Sequence, residues 1–237
     1  MQTFPNCLQI GIADMCIRWK FLNRFIAYAH REPSQLELDK SVSSGKVIVA
    51  AFDMDDTLIT SASSLRFNHS AFDWKFLPNV RATISDHIAE LKKGDQPVVT
   101  VVFSNQGGVI PDFDSKSFLK LRGKVEGMLK ALPCIDMFFA AAITKDPEQK
   151  KEFRKPGPGM FILLEEIIKT YGLDIDFEQS FFVGDAAGRY FDHSDDDLKF
   201  AQAAHLPFIT TEEFFSLDKV PTFDTRKQYK KFRHIAK

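Results

Sequence analysis

Ala50 to Thr60 reads AAFDMDDTLIT, an apolar run that breaks into three carboxylates, Asp53, Asp55 and Asp56. The run begins at Val47, and nothing polar interrupts it before Asp53. Continuous apolar stretches of this kind mark a parallel strand buried on both faces. In an extended chain residues i and i+2 project the same way. Asp53 and Asp55 therefore arrive at one place, while Met54 turns into the packing behind. Two carboxylates with different neighbours can divide two tasks. One can act as a nucleophile and form an acyl phosphate. The other can protonate a leaving oxygen and then activate water. Capping of the following turn is the plainer reading of the same spacing.

Outward from this strand, helix and strand patterns alternate. Val80, Ile84, Ile88 and Leu91 recur at helical spacing, and Gly94 closes that helix. Val98 to Phe103 is a second buried strand ending at Ser104, and Ser115 to Leu132 a helix. Met137 to Ile143 is a third strand, and Met160 to Tyr171 a helix with one apolar face. Ser180 to Gly184 is a fourth strand ending at Asp185, followed by a helix over Asp195 to Ala204 and a strand at Pro207 to Thr210. Such alternation predicts an α/β fold with a doubly wound parallel sheet. Asp53, Ser104 and Asp185 then stand at the carboxyl ends of three strands, the edge where open α/β sheets bind ligands. Carboxylates gathered there call for a hard cation, and Mg²⁺ fits best. Ser104-Asn105-Gln106-Gly107-Gly108 can cradle an anion. Lys155, in Arg154-Lys155-Pro156-Gly157, can hold a phosphoryl oxygen and the nucleophile together, or be one more solvated charge in a basic stretch.

Length and composition set the outer limits. The 237 residues suit one α/β domain plus extensions. With 31 Lys+Arg against 32 Asp+Glu, net charge favours no class of partner. Three cysteines form no disulfide framework, and no apolar run reaches the roughly 20 residues that span a bilayer. The expected organisation is an N-terminal extension over 1–45, a catalytic domain over 46–217 and a basic tail over 218–237. Met1 to Arg31 is Arg-rich and acid-poor, which suits a helix packed on the domain, a variable leader or a mitochondrial transit peptide. Ser34 to Gly45 reads as a polar linker. The tail RKQYKKFRHIAK (Arg226 to Lys237) suits phosphate contacts, a nuclear signal or a frayed end.

Four motifs in order, FDMDDTLIT, FSNQGG, RKPGPGM and FFVGDAAGR, resemble those of the haloacid dehalogenase superfamily. Phe72-Asp73-Trp74, the D-x-S-x-x-D of Asp192, Ser194 and Asp197, and LPFITTEEFF (Leu206 to Phe215) narrow the resemblance to the polynucleotide 3′-phosphatases, over about Val47 to Phe215. The resemblance implies a haloacid-dehalogenase-like fold with Asp53 as nucleophile and Asp55 as general acid/base. It further implies that Ser104 and the Asn105 backbone bind the phosphoryl group and that Lys155 stabilises it. Mg²⁺ would be held by Asp53, Asp185 and the backbone carbonyl of Asp55. Arg154 and Arg189 would contact phosphate or the DNA backbone, and Asp192, Ser194 and Asp197 would support the Asp185 loop. Asp56 stands where the superfamily motif usually has Gly, so it is expected to take a turn with φ > 0 and no catalytic role.

About 40 residues separate Thr57 from Val98, room for a short flap and one helix but not for a folded cap domain. An open, capless site suits a polymer end, and Trp74 and Phe72 suit either stacking on a terminal base or sugar or burial as packing aromatics. No G-x-x-x-x-G-K-[ST] loop accompanies it, so no kinase half is expected. The expected activity is Mg²⁺-dependent removal of 3′-phosphate from DNA strand breaks, in DNA repair, with RNA ends left open. A monomer in the nucleus is expected, with the mitochondrion as the alternative and no membrane association. A capless phosphatase of small molecules or phosphoproteins, and a catalytically silent scaffold that binds DNA ends, are the competing readings.

Overall fold

A computed structural model of the chain describes residues 16–32, 45–63 and 70–217. The expected linker, apart from Gly45, and the basic tail lie outside the described residues. In chain order the elements begin with a hairpin, β1 (Cys16–Leu22) and β2 (Ile26–Glu32), then β3 (Lys46–Phe52). A two-stranded flap, β4 (Ile59–Thr60) and β5 (Lys75–Phe76), precedes α1 (Val80–Leu91). Next come β6 (Val98–Asn105), α2 (Lys116–Ala131), β7 (Met137–Ala141), α3 (Pro147–Phe153) and α4 (Gly159–Thr170). The chain continues through β8 (Asp174–Ile175), β9 (Phe181–Gly184), α5 (Asp196–Ala203), β10 (Phe208–Thr210) and α6 (Thr211–Phe215).

The main sheet runs β1-β2-β7-β6-β3-β9-β10, with β8 paired to the start of β3. From β7 to β10 all pairings are parallel. The chain steps from β3 outward to β6 and β7, then returns to lay β9 on the other side of β3. That reversal puts a topological switch point between β3 and β9, the crevice where such sheets bind ligands. Alternate residues of β3 feed the two cores. Ile48, Ala50 and Phe52 pack beneath α1 and α2, while Val47, Val49 and Ala51 pack beneath α4 and α5.

One departure from the sequence expectation is at the N-terminus. The sheet does not start at residue 46. β1 and β2 extend it antiparallel to β7, so residues 16–32 belong to the catalytic domain. Ile17, Trp19 and Phe21 turn towards the α2 face, while Arg18 and Lys20 alternate outward. This two-residue period, hidden among scattered cations, is a strand pattern. Asn23 and Arg24 take φ of 46° and 65°, the left-handed values that a tight hairpin turn needs.

Arg31 locks the hairpin down. It is 7% exposed, and its guanidinium donates to the carbonyls of Ile135 (2.7 Å), Leu132 (3.0 Å) and Leu129. Two of these flank the C-terminus of α2, where helical carbonyls lack intrahelical donors. Arg31→Met removes those donors while keeping an unbranched stem. It is expected to cost about 2–4 kcal/mol in urea unfolding with kcat preserved. A loss below about 0.5 kcal/mol would mean that these contacts do not hold the hairpin. The basic stretch before Lys155 is partly helical, as α3, with Asp146 capping Glu148 and Gln149 and Pro147 in the first turn.

Candidate active site

Asp53 follows the last residue of β3, and its N–H donates to Val183 O of β9 at 2.8 Å. This bond pins it at the switch point. The chain then turns sharply. Asp56 takes φ 60°, as expected of a residue standing in for Gly, and its carboxylate accepts the Thr60 hydroxyl at 2.8 Å. Asp56 therefore serves the turn.

Lys155 lies 3% exposed, its Nζ 2.5 Å from Asp53 Oδ1 and 2.6 Å from Asp197 Oδ1. Asn105 holds the lysine in place through its backbone. The Asn105 amide oxygen accepts Lys155 N–H at 2.9 Å, and its amide nitrogen donates to Lys155 O at 3.0 Å. Asp197 is a larger part of the site than a loop support. Besides Lys155 it accepts the N–H of Ala186 at 3.1 Å through Oδ2. It approaches β9 so closely that a Cβ on Gly184 would fall 2.5 Å from that oxygen.

Asp185, 5% exposed, receives the Thr57 hydroxyl at 3.3 Å and faces His193 Nδ1 at 3.6 Å. One oxygen each from Asp53, Asp185 and Asp197 lies within 4.8 Å of the others. Burial, with Asp197 and Asp55 adding to it against the pull of Lys155, pushes Asp53 up to about 7. Burial, together with Asp53, Asp197 and Asp56, holds Asp185 well above the carboxylate range. Burial works to strip Lys155 of its proton, but Asp197 and Asp53 outweigh it and keep the ammonium charged. Three buried carboxylates thus share one buried ammonium. An all-oxygen donor set with surplus negative charge fits a hard divalent cation. Asp197 has both oxygens engaged by Lys155 and Ala186, so Asp53 and Asp185 are the carboxylates best suited to hold one.

Asp55 lies apart from that cluster, its side chain 47% exposed. Gln106 Nε2 donates to its Oδ2 at 2.6 Å and to Ser104 Oγ at 2.8 Å. Lys124 Nζ, from α2, stands 3.3 Å from Asp55 Oδ1. Ser104 itself is 1% exposed at the end of β6. Gln106, Lys124 and Thr57 carry no assignment in the sequence reading. Thr57 lies within the AAFDMDDTLIT stretch and Gln106 within the Ser104-to-Gly108 anion cradle, whereas Lys124 is only one of the cations of α2.

The other expected contacts divide. Arg154 lies over the loop after β6, with Nη1 2.9 Å from where a Gly107 Cβ would stand, and no carboxylate among the described residues pairs with it. It is available to an anion. Arg189, expected in the same role, is instead tied inward. Its guanidinium bonds Asp192, Glu212 at 3.0 Å and the Asp185 carbonyl at 3.2 Å, and lies over the Phe191 ring. Asp192 also accepts the N–H groups of Ala187 and Arg189 at 3.0 Å each. The Ser194 carbonyl takes Gly188 N–H at 3.1 Å. Asp192 and Ser194 thus shape the loop that carries Asp185.

Trp74, one of the two candidate stacking rings, is a packing residue. Its indole N–H donates to Ala71 O at 3.1 Å, and its ring lies against α2 where a Gly127 Cβ would fall 2.9 Å away. Phe72, beside it on the flap, is the exposed ring at 86%. Among the described residues, the flap strands and α1 are the elements between β3 and β6.

Among the described residues no helix is long and apolar enough to cross a membrane. A family model described as polynucleotide kinase 3 phosphatase matches residues 48–215. The polynucleotide 3′-phosphatase of Saccharomyces cerevisiae is 32% identical over 206 residues, covering 70% of this chain and 87% of that protein. A bifunctional polynucleotide phosphatase/kinase of Schizosaccharomyces pombe is 35% identical over 172 residues, covering 70% of this chain and 36% of that one. The polynucleotide 3′-phosphatase ZDP of Arabidopsis thaliana is 33% identical over 212 residues, covering 86% and 28% respectively. The chain therefore spans most of the first relative and about a third of the other two.

Proposed function

The chain belongs to the polynucleotide kinase 3 phosphatase family, and on that premise we propose that it hydrolyses the 3′-phosphate monoester at DNA strand ends. The product 3′-hydroxyl is what repair synthesis and ligation require. The observation that carries the reading is the unequal setting of two adjacent carboxylates. Asp53 is 6% exposed and held at Oδ1 by Lys155, whereas the Asp55 side chain is 47% exposed at the mouth of the site. That division suits a buried nucleophile and an acid/base that reaches the leaving group.

In the first step Asp53 Oδ2, which no described side chain occupies, attacks phosphorus. The ester oxygen leaves as the 3′-hydroxyl, taking a proton from Asp55, and an aspartyl phosphate forms on Asp53. In the second step Asp55, now a carboxylate, removes a proton from water as the water oxygen attacks phosphorus. Inorganic phosphate departs and Asp53 is restored. Ser104 and the Asn105 N–H orient the phosphoryl oxygens, and Lys155 offsets their charge. Mg²⁺, held by Asp53, Asp185 and the Asp55 carbonyl, would supply charge neutralisation and Lewis acidity at those oxygens.

The direct test is phosphate release from a 3′-phosphorylated nicked duplex with and without Mg²⁺, beside a panel of small phosphate esters. Faster release from the nicked duplex, dependent on Mg²⁺, is expected. Equal or better rates on the small esters would move the assignment to metabolite phosphatases.

A linked pH effect follows from the acids. With Asp53 and Asp185 raised, the native state binds more protons than the unfolded chain from the ordinary carboxylate range up to about 7. Stability of the metal-free protein therefore falls as pH rises through that window. Mg²⁺ takes the place of those protons, so the Tm gain on adding it is expected to be small at pH 5.5 and several-fold larger at pH 8. A gain independent of pH would separate the metal from these acids.

A further inference from the structure

We propose that Gln106 is a positioning residue that aims the Ser104 hydroxyl at the phosphoryl group and ties Asp55 to it, a refinement that rests on the phosphatase reading. Its amide touches both partners. Nε2 donates to Asp55 Oδ2 at 2.6 Å and to Ser104 Oγ at 2.8 Å, so one planar group joins the acid/base to the phosphate-binding hydroxyl. The Gln106 backbone presets that reach. Its N–H donates to Ala141 O and its carbonyl accepts the Val109 N–H, at 2.9 Å each. The preceding residue, Asn105, uses its own amide to clamp the Lys155 backbone. Two successive amides at the end of β6 therefore divide the work. Asn105 sets the cation beside the nucleophile, and Gln106 sets the hydroxyl and the acid/base.

The direction of each hydrogen bond carries the inference. A carboxylate oxygen only accepts, so Asp55 decides which end of the amide faces the site, and the NH₂ end is turned to it. Lys124 Nζ stands at Asp55 Oδ1, which leaves Oδ2 to Gln106. Ser104 Oγ is then the acceptor in its own contact with Gln106. A hydroxyl has one proton and two lone pairs. With a lone pair committed to Gln106, the O–H bond takes another staggered direction about Cβ–Oγ and points away from the amide. Ser104 is 1% exposed, yet no acceptor among the described residues takes that proton. At the carboxyl end of β6 the acceptor it suits is a phosphoryl oxygen, through a charge-assisted bond. Without Gln106 the hydroxyl rotor is unconstrained, and phosphate binding has to order it.

The test measures inhibition by inorganic phosphate, and kcat/KM on a 3′-phosphorylated oligonucleotide and on a small phosphate ester, all in Mg²⁺. The proteins are wild type, Gln106→Leu, Gln106→Glu, Ser104→Ala and the Ser104→Ala/Gln106→Leu double variant. Gln106→Leu is expected to weaken phosphate inhibition about tenfold, the scale of one hydrogen bond to a charged group. Its kcat/KM should fall further, roughly a hundredfold, because Asp55 is released as well. Gln106→Glu keeps the shape but turns oxygens towards Asp55 and Ser104, so it should do no better than the leucine variant. A packing role would make it the milder change. In the Ser104→Ala background, replacing Gln106 by Leu should move the phosphate constant by less than about twofold, since residues that act through one another are not additive. Wild-type phosphate inhibition in Gln106→Leu, a glutamate variant close to wild type, or the same tenfold loss without the Ser104 hydroxyl would each overturn the positioning role and leave the phosphatase reading intact. Wild-type protein that releases phosphate from neither substrate would overturn the phosphatase reading, and the role of Gln106 with it.

Discussion

Asp53→Asn is expected to abolish phosphate release, with kcat at least ~10⁴-fold below wild type, because an amide oxygen cannot form the aspartyl phosphate. The same substitution should not harm the fold. Asparagine keeps the side-chain shape and still offers Oδ1 to Lys155, while it removes one of three like charges buried together. Burial raises Asp53 to about 7, so ionising it above that pH costs the metal-free protein stability, and the variant escapes that cost. In EDTA at pH 8 the variant should melt no lower than wild type, whereas at pH 5 the two should differ little. Loss of activity together with retained or raised Tm would assign the defect to chemistry. Residual turnover above about one per cent would move the nucleophile to another group.

The parallel core is legible in the sequence for a simple reason. Strands buried on both faces must be uniformly apolar, so Val47 to Phe52 and Val98 to Phe103 stand out without any tertiary knowledge. The edge hairpin is not legible in the same way. Its inward residues alternate with Arg18 and Lys20, and its pairing with β7 spans more than a hundred positions, so its strand character depends on a partner far away in the chain. The site divides along similar lines. Asp53, Ser104 and Asp185 are visible because each interrupts an apolar run at its end. Asp197 sits third in the acidic run Asp195 to Asp197 at a helix start, where acids commonly serve the helix dipole, and only the crossing of α5 over β9 brings it to Lys155. Lys124 is one of many cations on an amphipathic helix, and only the packing of α2 brings its Nζ to Asp55. Arg189 shows the converse. A cation beside a catalytic motif invites a substrate role, yet Asp192 and Glu212 claim both sides of its guanidinium.

Lys155→Met is expected to produce the largest combined loss. The ammonium lies 2.5 Å from Asp53 and 2.6 Å from Asp197, both buried, so its removal leaves two carboxylates without their cation beside Asp185. Breaking a buried ion pair from one side costs about 3–5 kcal/mol. The cost should depend on pH with a defined sign. Without Lys155, Asp53 and Asp185 titrate higher still, so the native variant binds more excess protons than wild type and loses stability more steeply as pH rises. The Tm difference between the two proteins should therefore widen from pH 5 to pH 8, and Mg²⁺ should narrow it by supplying charge. Activity should fall at least about a thousandfold even where the variant is folded, since no other cation among the described residues touches Asp53. Lys155→Arg should not rescue it. Two contacts this short, around a side chain 3% exposed and clamped through its backbone by Asn105, leave no room for a planar guanidinium. A fully active methionine variant, or a Tm difference unchanged across pH, would show that Lys155 neither supplies the charge at Asp53 nor balances Asp197.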